Sequence, residues 1–383
     1  MDPNICYLLS AILFRNVSAM ATYRCWAEID AEALHHNARA LRSFLSPGVR
    51  LIAIVKADAY GHGLSELARL INDDVDCFGV ANVAEGLEIR RGGLSSPVLL
   101  LGPALPSELG VVVKEQFIPT ISTAQEASAY AETVSGNCSL PMHFVIDTGM
   151  GRIGLWGEEA KTTLKAIRQL PRLSILAISS HLPSADEDFL YTTEQFQRFR
   201  REVAELFPEG MPATILNSAG VLRFGREVRS GDLVRVGLAL YGISPLPEFQ
   251  HCFVPALTWK TRVTLVRTLG PGRSVSYGRT FITSREMRIA TLGVGYGDGY
   301  QRHLKDADVL IRGSRCRVLG RVTMDQIMVD VSALDGVEPD EEAVLIGKQE
   351  NEQILASELA ERAGTIAWEI FTGITRRVVR VYR

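Results

Sequence analysis

From residue 50 to about residue 250, short apolar runs alternate with amphipathic stretches in a steady beat. The runs are LIAIV (51–55), CFGVA (77–81), PVLLLG (97–102), FIPTIS (117–122), MHFVID (142–147), LSILAIS (173–179), PATILN (212–217) and DLVRVGLALYG (232–242). Their continuous apolar character predicts strands buried on both faces, as in a parallel sheet with helices packed outside. Eight such strands with helices between them match a closed (β/α)8 TIM-type barrel. An open doubly wound sheet shares the rhythm, yet no GxGxxG opens a helix after a strand. GVGYGDG (293–299) spaces its glycines at every second position, far from the first run. Ahead of that run, Asp30 reads as a helix N-cap, with Leu34, Ala38, Leu41 and Leu45 on one face.

After Pro255 the pattern changes to strand-like alternation with turn signals: WKTRVTLVRTLGPG, MRIATLGVGYGDGY, a long run from Ala307 to Ser332, then AVLIG and RRVVRVYR. Only ILASELAERAG (354–364) reads as helical. The division is therefore a barrel over residues 22–252 and a mostly β domain over 253–383, with no repeat or long linker between them. A chain of 383 residues exceeds what one core usually fills, in keeping with two domains.

A net charge of −3 without Lys/Arg blocks offers no field for nucleic acid and favours a small anionic or zwitterionic ligand. The six cysteines are scattered without CxxC spacing, which suits a reducing compartment, and the seven histidines form no HExxH pattern, so no metal is expected. YLLSAILF (7–14) resembles a signal segment but lacks a basic flank and is cut short by Arg15, so residues 1–21 are read as a disordered extension and the protein as cytoplasmic. No run is long enough for a membrane span.

The first run ends abruptly at Lys56 and passes into a small, glycine-containing loop, KADAYGHG. A lysine there either reaches solvent or stands desolvated beside a pocket, where a lowered pKa favours the free amine that forms Schiff bases with carbonyl cofactors. In a barrel, active sites gather at the carboxyl ends of the strands. His181 ends the sixth run, Asn217 and Ser218 the seventh, and Arg235 lies in the eighth. Each alone could be a satisfied structural group; their shared rim is the informative feature.

VKADAYGHG, DTGMGRIG (147–154), NSAG (217–220), RVGLALYG (235–242), SYGRTF (276–281), GYGDGY (295–300), GRVTMDQ (320–326) and RRVVRVY (376–382) closely resemble the alanine racemases, barrel-type pyridoxal-phosphate enzymes. The likeness runs from about residue 22 to the C-terminus. It implies that Lys56 holds pyridoxal 5'-phosphate and acts as one acid/base group, with Tyr277 as the second. Racemisation needs two, because a proton leaves one face of a planar centre and returns to the other. The resemblance places Arg235 at the pyridine nitrogen, which a guanidinium keeps unprotonated, with His181 as its buttress. It assigns the phosphate to Tyr60 and Ser218, and to the backbone amides of Ser218, Gly237 and Leu238. Arg152, Met324 and Asp325 fall to the substrate carboxylate and its surroundings, and Asp186, Tyr296, Arg302 and Arg321 to an entrance corridor.

It further implies a head-to-tail homodimer in which Tyr277 and Met324 of one chain complete the site of the other, supplying D-alanine for peptidoglycan precursors. A serine or broader amino-acid racemase stays open, as one hydroxyl is weakly discriminated. A non-catalytic pyridoxal-phosphate carrier on the same barrel would lack the β domain and the SYGRTF tyrosine. Two positions depart from the family. Val145 stands where a carbamylated lysine often neutralises Arg152, so a bound anion or another carboxylate is expected there. Trp368, in IAWEIFTG, replaces a tyrosine near the phosphate and implies a bulkier gate whose indole can donate but not accept a hydrogen bond.

Overall fold

The structure, a computed structural model, describes residues 23–383 except 137, 209 and 305. The expected N-terminal extension, with Cys6, lies outside the described residues. All eight apolar runs contribute strands. They are β2 (Arg50–Ile54), β3 (Cys77–Val80), β4 (Val98–Leu100), β5 (Thr120–Ile121), β6 (Leu140–Val145), β7 (Leu173–Ser179), β8 (Ala213–Thr214) and β9 (Leu233–Val236), numbered after an N-terminal β1 (Cys25–Ile29). Parallel pairing runs β4-β3-β2-β9 and β5-β6-β7-β8. The two arcs are joined by Ile118 N donating to Val98 O (2.8 Å) and by Arg235 N donating to Leu216 O (2.9 Å), which closes the barrel. β5 and β8 keep only two residues of regular strand, and at the β4–β5 junction the chain pairs through the single bridge Leu99–Ile118.

The first helix, Ala31–Ser43, begins at Asp30, whose carboxylate accepts from Ala33 N at 3.0 Å, and it buries Leu34, Ala38 and Leu41. Between its apolar stripe and the exit of the barrel sits Asn37, fully buried. Its amide donates to Leu240 O (3.1 Å) and Val254 O (2.8 Å) and accepts from Val254 N (2.8 Å). One side chain thus ties the first helix to the segment that leaves the barrel.

The β domain is built on β10 (Leu257–Leu269), which pairs antiparallel with Met287–Leu292 and Glu342–Gln349. Two features depart from the sequence reading. β1 belongs to this sheet rather than to the barrel: it pairs antiparallel with β10 and parallel with the C-terminal strand Val379–Tyr382. Its fully buried side chains fit either domain, and its partners lie more than 200 residues away, so local pattern cannot assign it. A second helix, Ala367–Gly373, follows Ala356–Ala363 and buries Ile370 and Phe371; seven residues without a side-chain cap leave little periodic signal. One contiguous apolar core runs through barrel and β domain, so the two pack as a unit.

Replacing Asn37 with alanine strands two carbonyls and one amide in the interior. The expected loss of folding stability is about 2–4 kcal/mol in urea unfolding, and a loss under about 0.5 kcal/mol would show that the tie is dispensable.

Candidate active site

β2 is buried from Leu51 onward, and its end is fixed by Val55 N donating to Gly79 O (2.9 Å) and by Tyr241 Oη donating to Ile54 O (2.8 Å). Immediately after Lys56 the backbone turns left-handed. Ala57, Asp58, Ala59 and Tyr60 have φ of 53, 55, 52 and 51° with ψ of 54, 44, 51 and 43°. None is glycine. Each such residue costs about 1–2 kcal/mol, and runs of four are rare, so neighbours must hold them. Glu85 does so from the barrel side: its carboxylate accepts from Ala57 N (2.8 Å) and Ala81 N (2.7 Å). Asp58 closes the turn, its carbonyl accepting from Gly63 N (2.9 Å) and its carboxylate from Leu64 N (2.8 Å). Strain of this kind collects where a side chain must be aimed.

The aimed side chain is Lys56. It lines a cavity of about 300 Å3 together with Arg152, His181, Arg235, Val145 and Met150. Its pKa is lowered, first by burial and then by the Arg152 charge, with Glu85 opposing. Arg235 is buried. It donates to Thr214 O (3.1 Å), Thr214 Oγ1 (2.9 Å) and the carbonyl of Ser180, and its pKa falls to about 10, chiefly through burial. His181 Nδ1 lies 3.2 Å from the same guanidinium. Burial, then Arg235, Arg152 and Lys56, hold that imidazole down to about 3, so it is neutral and Nδ1 accepts. Among the described residues no carboxylate lies within ion-pair distance of Arg235 or Arg152. Arg152 is exposed at the cavity mouth, so a carboxylate of this chain does not take the place left by Val145. Asp147, although nearby, is occupied: it accepts from the amides of Gly149, Met150 and Gly151 and so shapes the loop carrying Arg152.

A second lobe of about 230 Å3 shares Met150 and His181 with the first and is lined by Asn217, Ser218, Gly237, Leu238, Trp368 and Asp186. Asn217 caps the helix Ser218–Phe224, accepting from Gly220 N (2.9 Å), and Ser218 Oγ accepts from Gly237 N (3.0 Å). A Cβ at Gly237 would stand 2.6 Å from Tyr60 Oη, so glycine is required for the phenol to reach this lobe. Tyr60 is buried and its pKa is raised to about 12 by desolvation, against a hydrogen bond from Trp368. It stays a phenol and can donate. Guanidinia unpaired by any described carboxylate around one lobe, hydroxyls and amides around the other, and an amine of lowered pKa on the wall suit a phosphorylated aldehyde.

The remaining sequence candidates, Asp186 apart, lie on the β domain and line neither lobe. Tyr277 is 65 % exposed on the single turn Tyr277–Arg279, and Met324 is 52 % exposed. Arg321 lies over Gly278, and Tyr296 is joined to the Met324 loop by Tyr296 N donating to Thr323 O (3.0 Å) and Gly297 N to Met324 O (2.9 Å). Asp325 pairs with Arg377 at 2.7 Å, Arg302 is exposed, and Asp186 is exposed at the rim of the barrel lobe. The structure therefore gathers the barrel candidates and Trp368 around one site and leaves Tyr277, Tyr296, Arg302, Arg321, Met324 and Asp325 outside it within one chain. Sequence reasoning missed Glu85 and Asp147. Asn82 with Glu85 three residues on is a legible helix-start spacing, but the carboxylate's reach to Ala57 is not.

Fold and site define a barrel-type enzyme whose cavity suits a phosphorylated carbonyl cofactor. Family models for the alanine racemase N-terminal domain and C-terminal domain match residues 29–245 and 256–382. The alanine racemase of Nostoc sp. is 39% identical over 375 residues, covering 95% of this chain and 97% of the relative, and that of Symbiobacterium thermophilum is 42% identical over 366 residues (93% and 96%). The alanine racemase of Clostridium difficile 630 superimposes with a TM-score of 0.88 at 32% identity, covering 94% of this chain and 96% of that one. The Bacillus anthracis alanine racemase with bound L-Ala-P gives 0.85 at 33% (94% and 95%). The chain belongs to the alanine racemase family, whose members depend on pyridoxal phosphate.

Because the Arg152 charge depresses Lys56, removing it should let the amine titrate closer to the ordinary lysine value. In cofactor-free Arg152→Gln, the midpoint of the pH profile for pyridoxal-phosphate uptake is expected to move to higher pH; an unchanged or lower midpoint would contradict the assigned electrostatics.

Proposed function

We propose that this chain interconverts L-alanine and D-alanine by moving a proton between two faces of the substrate Cα. When bound, pyridoxal phosphate supplies the acidification of that Cα–H by drawing its electron pair into the ring system. The chain's own residues do the rest. Lys56, whose pKa burial and then Arg152 lower toward the free amine, would offer that amine to the cofactor carbonyl and serve as the acid/base on one face. Arg235, which stays protonated at neutral pH, would face the ring nitrogen and keep it unprotonated. Neutral His181 supports it from the other side. Tyr60, Ser218, Trp368 and the amides of Ser218, Gly237 and Leu238 hold the phosphate in the second lobe. Arg152 meets the substrate carboxylate.

The second face belongs to Tyr277. Its exposure beside Met324, Tyr296 and Arg321, away from the Lys56 cavity, supports a head-to-tail homodimer in which this surface covers the barrel mouth of a second copy. In that assembly Met324 contributes a backbone amide and Asp325 its neighbouring contact, while Asp186, Tyr296, Arg302 and Arg321 form the entrance. No described helix is long and apolar enough to cross a membrane. With scattered free cysteines, that fits a cytoplasmic enzyme supplying D-alanine to cell-wall precursor synthesis.

The single observation that carries the reading is the Lys56 amine, its pKa lowered by burial and by Arg152, lining a cavity in which no described carboxylate pairs with Arg152 or Arg235. Its test is exchange of the alanine Cα hydrogen in deuterated solvent, run from each enantiomer and repeated with serine. Alanine should exchange and lose optical rotation from both sides, and Tyr277→Phe should slow interconversion by about 100-fold or more. Faster turnover of serine than of alanine would transfer the activity to the broader racemase class, and an undiminished Tyr277→Phe would remove the second base.

A further inference from the structure

The left-handed turn after Lys56 is held from a second side, by the extreme C-terminus. Arg380 Nε donates to Gly61 O (2.9 Å), while its other nitrogens donate to Thr375 O (2.6 Å), Val378 O (2.6 Å) and Ile374 O (2.8 Å). Tyr382 Oη donates to His62 O (3.0 Å). A Cβ on Gly61 would collide with the Phe371 carbonyl, and one on Gly63 with Tyr382 Oη, so the turn is pressed against this segment without intervening side chains. Both donors sit on the strand Val379–Tyr382, whose register is fixed by β1: Arg380 opposite Ala27 and Tyr382 opposite Ile29. Every polar contact of the Arg380 guanidinium goes to a backbone carbonyl. Arg380 forms none of the described ion pairs, unlike Arg377 three residues earlier, which pairs with Asp298 and Asp325.

We propose that Arg380 and Tyr382 are positioning residues for the reactive lysine, clamping the strained turn so that Lys56 at its start and Tyr60 at its end keep their aim into the two lobes. The inference rests on the functional reading above. Carbonyls that leave a left-handed turn find no partner in a regular ladder, so Gly61 O and His62 O need outside donors. Four residues in an unfavourable conformation push toward relaxation, and the clamp resists it. Relaxation would shift the Lys56 amine relative to Arg152 and Arg235. It would also withdraw the Tyr60 hydroxyl from Gly237. The β domain, through one strand, thereby sets the geometry of chemistry located in the barrel.

The test uses full-length protein with pyridoxal phosphate, in the variants Arg380→Gln, Arg380→Lys and Tyr382→Phe. Borohydride reduction followed by peptide mass reads how much cofactor becomes fixed at Lys56, beside kcat and KM for alanine and the melting temperature. Arg380→Gln should lower both the rate of fixation and kcat by about tenfold or more, with KM changed by about twofold or less. Tyr382→Phe should move the same quantities by about threefold, and Arg380→Lys should recover part of the loss because an ammonium can still reach Gly61 O. Variants that melt earlier yet fix cofactor and turn over at wild-type rates would overturn the proposal and leave a purely structural tie. Should Arg380→Gln fail to fold, Tyr382→Phe decides by the same criteria. Wild-type protein that fixes no cofactor at Lys56 would instead overturn the functional reading.

Discussion

Four non-glycine residues in left-handed conformation are the constraint on which the rest of this molecule turns. A strand buried on both faces delivers Lys56 to the rim of the barrel, and ordinary continuation would send the chain away along a helix or an open loop. Instead Ala57 to Tyr60 wind the opposite way, so Lys56 lines one lobe while the Tyr60 hydroxyl, four positions on, packs against Gly237 in the wall of the other. Such a turn has no intrinsic stability. It exists because Glu85 accepts its first amide on one side and the C-terminal strand donates to its last carbonyls on the other. Barrel and β domain are therefore both needed to shape a segment of six residues.

Around that segment the electrostatics are one-sided. Two guanidinia and an amine surround a cavity with no carboxylate of this chain in ion-pair range among the described residues, and the nearby acid, Asp147, is consumed by three backbone amides. Burial first and the Arg152 charge second lower the Lys56 pKa, favouring the free amine that the chemistry requires. Burial, with the neighbouring cations behind it, leaves His181 uncharged, so it can accept from Arg235. An anionic cofactor relieves the imbalance, and the cluster is ordered before it arrives.

Much of this was legible in the residues. Parallel strands buried on both faces leave continuous apolar runs, and all eight runs proved to be strands. Rim residues such as His181, Asn217, Ser218 and Arg235 were found because polar groups at the ends of such runs are uncommon. What local pattern could not reveal was non-local. β1 reads as one more buried strand, and only its pairing with β10 and the C-terminal strand assigns it to the second domain. The left-handed turn is invisible in KADAYG, since none of Ala57 to Tyr60 favours that conformation. Trp368 lines the second lobe, but the short helix that carries it gave no periodic signal.

The account's central claim is that each active site joins Lys56 of one chain to Tyr277 of another. Mixing Lys56→Ala with Tyr277→Phe protein under conditions of subunit exchange tests it directly. Hybrid dimers would carry one intact site and one doubly defective site, so two inactive proteins should together recover about one quarter of wild-type racemase activity. If each site were built within a single chain, the mixture would stay as inactive as its parts, and the claim would fall.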